Sequence, residues 1–232
     1  MGAMAQLRFP RGGQPPSEVQ HLRPVQPLVF PEEALVPEGL RHLILRTFLF
    51  RLLRFALGPE HSVGSDQFVY WNARDPGRCL APDVFVKHGV PQSSFASWKT
   101  WERGGAPELV LEIISAGEGA GVPWEEKLTR YHELGIQELV RFDPESPEGQ
   151  RLRAWHRVRD DLVERRVASD RTPCLTLGLI WVVAPVEGEP VGLRLLDAQG
   201  SLLESREEAA ERGRAEAEAR VRELEAELAR RR

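Results

Sequence analysis

The stretch from Pro107 to Phe142, PELVLEIISAGEGAGVPWEEKLTRYHELGIQELVRF, constrains the fold more than any other part of the chain. Leu109-Val110-Leu111-Glu112-Ile113-Ile114 is apolar on both parities, so residues 108–114 are expected to form a strand buried on both faces, and 138–142 (ELVRF) a second strand. Between them, residues 123–134 read as a helix, with Gly135 placed to end it. Strand, helix and strand in this order predict a βαβ-like core and therefore an α/β domain. The same stretch sets a problem. Glu112 stands inside the first strand, and a buried carboxylate is costly unless a charge or hydrogen-bond donors meet it.

Around this core the chain divides into three parts. Residues 1–29, with Pro10, Gly12, Gly13, Pro15, Pro16, Pro24 and Pro27, read as an extended arm. Residues 30–200 are expected to form the domain. It opens with an apolar helix over 38–56 that is interrupted by Arg41, Arg46, Arg51 and Arg54, a core helix rather than a bilayer one. Strand-like runs at 67–71, 83–87, 151–157, 161–167, 174–184 and 191–196 are expected to complete a central mixed sheet flanked by helices. Residues 201–232 read as a charged helix. Its apolar positions Ala210, Ala217, Val221, Leu224 and Leu228 fall at spacings of 7, 4, 3 and 4, and Glu208–Arg212, Glu216–Arg220, Glu218–Arg222 and Glu227–Arg231 are favourable pairs. Two readings stand for it: a short coiled coil joining two copies into a homodimer, or a solvated single helix.

Composition limits the function. Hydrophobic residues make up 41% of 232, enough for a proper core. A net charge of −4 with pI near 5.9 lacks the overall basic footprint of proteins that hold duplex DNA by phosphate contacts alone, so any nucleic-acid binding needs a local patch. Of the 31 basic residues only Lys87, Lys99 and Lys127 are lysine. Cys79 and Cys174 form no CxxC pattern, which suits reduced thiols in a cytoplasm. No run of about 18 apolar residues and no apolar leader segment appears, so neither a membrane span nor a secretory signal is expected. P-loop, Gly-x-Ser-x-Gly and His-Glu-x-x-His patterns are absent from the sequence.

The acids supply the chemistry. Asp83 follows Pro82 at the start of one strand and Glu112 lies inside the next, so neighbouring strands could bring two carboxylates to one point, an arrangement that suits a hard divalent cation. Lys127, early in the following helix, could orient a metal-bound water or stabilise charge on an attacked phosphate. The alternative is a buried ion pair of Glu112 with Lys127 or an arginine. Trp98 and Trp101, interleaved with Lys99 and Arg103, read as a loop packed onto the domain, with base stacking as the other option. The basic run RLRAWHRVRDDLVERR reads as a solvated sheet face before it reads as a phosphate contact surface.

The ordered segments APDVFV, PELVLEIIS and EKLTRYHELGIQELVRFDP resemble the Uma2 family of endonucleases in the PD-(D/E)XK nuclease superfamily. The likeness is carried by Pro82-Asp83-Val84, Glu112-Ile113-Ile114-Ser115, Lys127, Tyr131, Gly135-Ile136 and Asp143-Pro144. It implies a restriction-endonuclease-like core that hydrolyses phosphodiester bonds in DNA with magnesium or manganese. Asp83, Glu112 and Lys127 would be catalytic, with Asp83, Glu112 and the Ile113 carbonyl as metal ligands. The superfamily lysine would ordinarily fall at 114, which is Ile114, and the helix-borne Lys127 takes its place. His42, with Glu38 or Glu33 upstream, is the accessory pair that the resemblance suggests. The chain departs from the family pattern at Ala116-Gly117-Glu118 and Pro123, where Pro-Ser-Thr and an aspartate are usual; Glu118, Glu125 or Glu126 are the candidates to compensate. A second function therefore stays open, a catalytically weak nuclease fold kept as a binding or assembly module through its C-terminal helix.

Overall fold

The computed structural model describes residues 28–30, 39–114 and 122–231. The expected arm therefore lies almost wholly outside the described residues, as do Glu33, Glu38 and Glu118. Among the described residues three helices, α1 (Leu40–Leu57), α2 (Trp124–Leu134) and α3 (Arg206–Arg230), accompany twelve strands. These are β1 (Ser62–Gly64), β2 (Val69–Tyr70), β3 (Cys79–Leu80), β4 (Val84–Lys87), β5 (Trp98–Lys99), β6 (Leu109–Ile113), β7 (Glu138–Phe142), β8 (Leu152–Val158), β9 (Asp161–Arg165), β10 (Arg171–Cys174), β11 (Leu179–Val186) and β12 (Glu189–Leu196).

The fold is mixed α/β, built on a six-stranded sheet of order β1-β4-β6-β7-β8-β9. Within it β6 and β7 are parallel, joined through α2, and the other neighbours are antiparallel. Every residue of β6 is buried, because both faces of the sheet are covered. On one face Val84, Leu109, Leu111 and Val140 pack with α1 and with Trp181 and Leu193 of the second sheet; on the other Phe85, Val110, Leu139 and Trp155 pack with Tyr131 and Leu134 of α2. α1 turns Leu45, Phe48, Leu49, Leu52 and Leu53 into the core, one face of a 3.6-residue repeat, and leaves Arg51 and Arg54 outside. α2 stops where expected, at Gly135, whose φ of 87° is left-handed.

Two expectations need correction. The run 174–184 is not one strand: β10 ends at Cys174 and β11 starts at Leu179, paired antiparallel across a turn in which Gly178 has φ 67°. Apart from Thr176 and Gly178 every residue of 174–184 is apolar, so the pattern does not mark the turn between the two arms. Nor do all the runs join one sheet. β10-β11-β12 and β3-β2-β5 form separate three-stranded sheets against the central one. β1, β3 and β5 have three residues or fewer, too short for any periodicity. Trp98 does pack its loop onto the domain, fully buried with its indole N–H donating to the Gly105 carbonyl at 2.9 Å, whereas Trp101 is exposed.

α3 begins with a capping box between Ser205 and Glu208 and buries none of its side chains. Its ion pairs differ from those expected except for Glu227–Arg231. Glu208 instead receives a two-pronged hydrogen bond from the buried Arg194, Arg212 reaches Glu204 and Glu216, and Arg220 pairs with Glu223. The domain outcompetes the helix for Glu208 because Arg194 has few other acceptors: the Leu203 carbonyl is its remaining partner among those described. No helix among the described residues is long and apolar enough to cross a membrane.

Candidate active site

The antiparallel register of β4 and β6 pairs Val84 with Leu111 and Phe85 with Val110. One step further along the ladder, Asp83 stands beside Glu112. Phe85 and Val110 face α2, so by the two-residue period of strands Asp83 and Glu112 face the same side. The carboxylates thus meet at the end of the sheet, where α1 closes from one side and α2 from the other.

Each carboxylate oxygen has a donor. Asp83 Oδ2 accepts the Ile113 backbone N–H at 2.6 Å, and Oδ1 lies 2.7 Å from His42 Nε2 on α1. Glu112 Oε2 accepts from the Lys127 ammonium at 2.8 Å, and Oε1 from the Tyr131 hydroxyl. Lys127 and Tyr131 lie four residues apart on α2, one turn, so a single helix face delivers both donors to one carboxylate. The question posed by Glu112 has its local answer here: an ammonium and a phenol meet it. That answer is incomplete electrostatically. Burial pushes the Glu112 carboxyl up, Lys127 opposes it, the neighbouring Asp83 charge adds to the rise, and the hydrogen bonds from Lys127 and Tyr131 oppose it; the outcome is a pKa raised to about 7. Burial outweighs the two donors, and the protonated form of Glu112 is favoured more than in water.

The structure thus brings together Asp83, Glu112, Lys127 and His42 of the residues singled out from the sequence, and Ile113 through its N–H. It does not bring in Glu126, which is tied to Arg130 at 2.7 Å, and Glu125 is an exposed residue of the first turn of α2. Lys87 and Lys99 pair with Glu108 and Glu102, away from this point. Among the described residues no group of three or more His, Cys, Asp and Glu side chains could by itself hold a metal ion.

Sequence reasoning named Tyr131 without a role, and it missed two residues of β7. Glu138 is fully buried and accepts from Arg165, from the Leu175 and Thr176 backbone N–H groups at 3.1 and 2.9 Å and from the Thr176 hydroxyl at 2.8 Å. It clamps β7 to β9 and to the turn after β10. Burial, and then the Glu138 charge, push the neighbouring Cys174 thiol up to about 12, which leaves it an inert, protonated core residue. Arg141 stands next to Glu112 across the parallel ladder. The signal that exposed Glu112, a charge in a doubly buried strand, was present for both.

A family model described as "Uma2: Putative restriction endonuclease" matches residues 31–187. Among solved structures, a chain from Anabaena variabilis ATCC 29413 described as "a putative nuclease belonging to DUF820" is 13% identical, with a TM-score of 0.44 over 61% of this chain and 75% of that one. No curated protein matches the sequence.

Proposed function

The chain belongs to the Uma2 family, and on that premise we propose that it is a divalent-cation-dependent endonuclease that hydrolyses phosphodiester bonds in DNA. The observation that carries the reading is the meeting of Asp83, just before β4, with Glu112 of the adjacent β6 and the Lys127 ammonium on Glu112. Membership of the family accounts for a nuclease-like protein; the cation, the DNA substrate and the residue roles are our reading of this site.

The residues present fit magnesium or manganese. They offer carboxylate oxygens on rigid strands, the donor chemistry of a hard cation that retains several waters. A carboxylate oxygen has two lone pairs, so one donor on each leaves room for a ligand bond. Burial first, and then the Asp83 charge, raise the Glu112 pKa, and a cation held between the two carboxylates would oppose both. Asp83 and Glu112 would hold it, with the Ile113 carbonyl as a third ligand. Bound there, the ion would lower the pKa of a coordinated water and stabilise charge on the phosphoryl oxygens.

The chain's own residues do the positioning. His42 and the Ile113 N–H fix both oxygens of Asp83, and Tyr131 fixes the rotamer of Glu112. Lys127 favours the ionised form of Glu112 and, as a compact group with three N–H bonds, can orient the attacking water or meet the charge that grows on the phosphate. In the test, Glu112→Ala loses both magnesium binding by calorimetry and cleavage of supercoiled DNA, while Lys127→Ala loses cleavage and keeps metal binding nearly intact. Equal cutting by parent and both variants overturns the assignment.

One observation favours the second reading, a binding or assembly module. α3 leaves Val221, Leu224 and Leu228 exposed at heptad-like spacing. A parent protein that binds no divalent cation and cuts no DNA would put that reading first.

A further inference from the structure

Arg141 lies beside Glu112 in the parallel register of β6 and β7, and its register neighbours two residues back, Val110 and Leu139, pack with Tyr131. It therefore occupies the face of the sheet that holds Glu112, Lys127 and Tyr131. Its guanidinium lies 5.0 Å from the centre of the Trp124 ring, at the start of α2. Trp124 meets Trp155 at 5.3 Å, and Arg153 lies 4.9 Å over Trp155. Arg141, Trp124, Trp155 and Arg153 make a row that runs from the carboxylates across β7 and β8.

The two arginines of this row are employed differently. Arg153 gives a two-pronged hydrogen bond to Glu164, at 2.8 and 2.9 Å. Among the described residues the carboxylate that Arg141 pairs with is Asp143, at 3.9 Å and beyond hydrogen-bond reach, and Glu164 feels its charge only at a distance. Arg141 Nε is buried with no hydrogen-bond partner, and so is Trp124 Nε1. Buried donors without acceptors are few in native proteins because each forfeits its hydration. Arg194 and Arg165 also bury a nitrogen without an acceptor but spend their other N–H groups on Glu208 and Glu138, whereas the Arg141 guanidinium, next to the paired carboxylates, donates to no acceptor among the described residues. The Arg141 side chain is 22% exposed, so an incoming group can reach it. A guanidinium already braced by an aromatic ring is preorganised for the two-pronged contact that phosphate oxygens make.

We propose that Arg141, held by Trp124, binds a phosphate group of the nucleic-acid strand as it enters the site beside Glu112. This rests on the nuclease reading and adds to it a substrate contact. It also supplies a local cationic point on a chain whose net charge is −4.

The test uses the full chain with mixed-sequence duplex and single-stranded oligonucleotides, calcium replacing magnesium so that binding is read without cutting. Arg141→Gln should weaken binding several-fold on any sequence and reduce the slope of log affinity against log salt by about 1. Arg141→Lys should recover most of the slope and only part of the affinity, which a merely structural role would not produce. Near-UV circular dichroism of both variants reports whether the tryptophan stack persists. Arg141→Gln that keeps the stack and binds with the parent's affinity and slope overturns the proposal, and if Glu112→Ala still abolishes cutting, the nuclease reading stands without it. Conversely, Glu112→Ala that cuts like the parent sinks the nuclease site, while a changed slope in Arg141→Gln upholds the phosphate contact alone. A parent that binds neither oligonucleotide overturns both.

Discussion

Glu112 makes the protein's stability depend on pH in an unusual direction for an acid. Its folded-state pKa is raised from 4.5 to about 7, so the native state holds a proton that the unfolded chain has already released. Stability from this group is fully present below about 4.5 and is lost as pH rises through about 7. The gap between those values, at about 1.4 kcal/mol per pH unit, is worth about 3 kcal/mol, and since the carboxyl is buried, screening by solvent removes little of it. The perturbation is Glu112→Gln, which keeps shape and a hydrogen-bonding oxygen for Tyr131 but cannot titrate. Urea unfolding in EDTA at about pH 5 and about pH 8 gives, for each protein, a stability difference, and subtracting the two cancels every other titrating group. The parent should lose about 2–3 kcal/mol more than Glu112→Gln over that interval. Magnesium in place of EDTA should stabilise the parent more at the upper pH than at the lower, because the cation binds the ionised form. Parallel pH profiles for parent and variant would refute the burial argument for Glu112.

Glu138→Ala strands Arg165 and the donors at Leu175 and Thr176, and should cost about 3–5 kcal/mol in chemical unfolding. Tyr131→Phe removes a donor to ionised Glu112 and should move the pH profile just described to higher pH. Lys127→Arg should lose cleavage of supercoiled DNA while retaining magnesium binding, because a planar fork cannot replace a compact ammonium. Cutting the chain before Glu204 leaves the buried Arg194 without Glu208 and should cost about 1–3 kcal/mol, whereas removing residues 214–232 should leave thermal stability nearly unchanged and, with α3 joining two copies, halve the mass by light scattering.

What was legible in the sequence was whatever repeats or stands out locally. β6, α2 and β7 were placed within a residue because two doubly buried strands flank a helix that Gly135 must end. Asp83 and Glu112 stood out as acids at a strand's start and inside another. What could not be read is set by tertiary choice. The hairpin at Leu175–Gly178 hides in an apolar run, and the division into three sheets depends on which strand finds which edge. Glu208 was assigned to Arg212 from helix spacing, but the buried Arg194 needed it more than the exposed Arg212 did. Glu138 and Arg141 could have been flagged as charges in a buried strand. Nothing in the sequence could say that Glu138 meets Arg165 or that Arg141 stacks on Trp124, since both partners come from other elements.

The contrast between Glu112 and Glu138 bears on function. Both are almost fully buried acids in adjacent strands, and both have a cationic partner. Glu138 also takes two backbone N–H groups and a hydroxyl, fixed dipoles that cannot leave. Glu112 relies on one ammonium and one phenol, carried by a single turn of α2, and faces a second carboxylate. A carboxylate meant only to tie elements together is best served by the first arrangement. The second leaves an acid whose ionised form needs one more positive charge, beside an aspartate already held in place by His42 and the Ile113 N–H. A cation entering there gains both carboxylates at once. It displaces a proton from Glu112 below about pH 7, so its affinity should rise with pH up to that point and level off beyond it. Calorimetric magnesium titrations across that interval would show a flat affinity if Glu112 is only a structural acid.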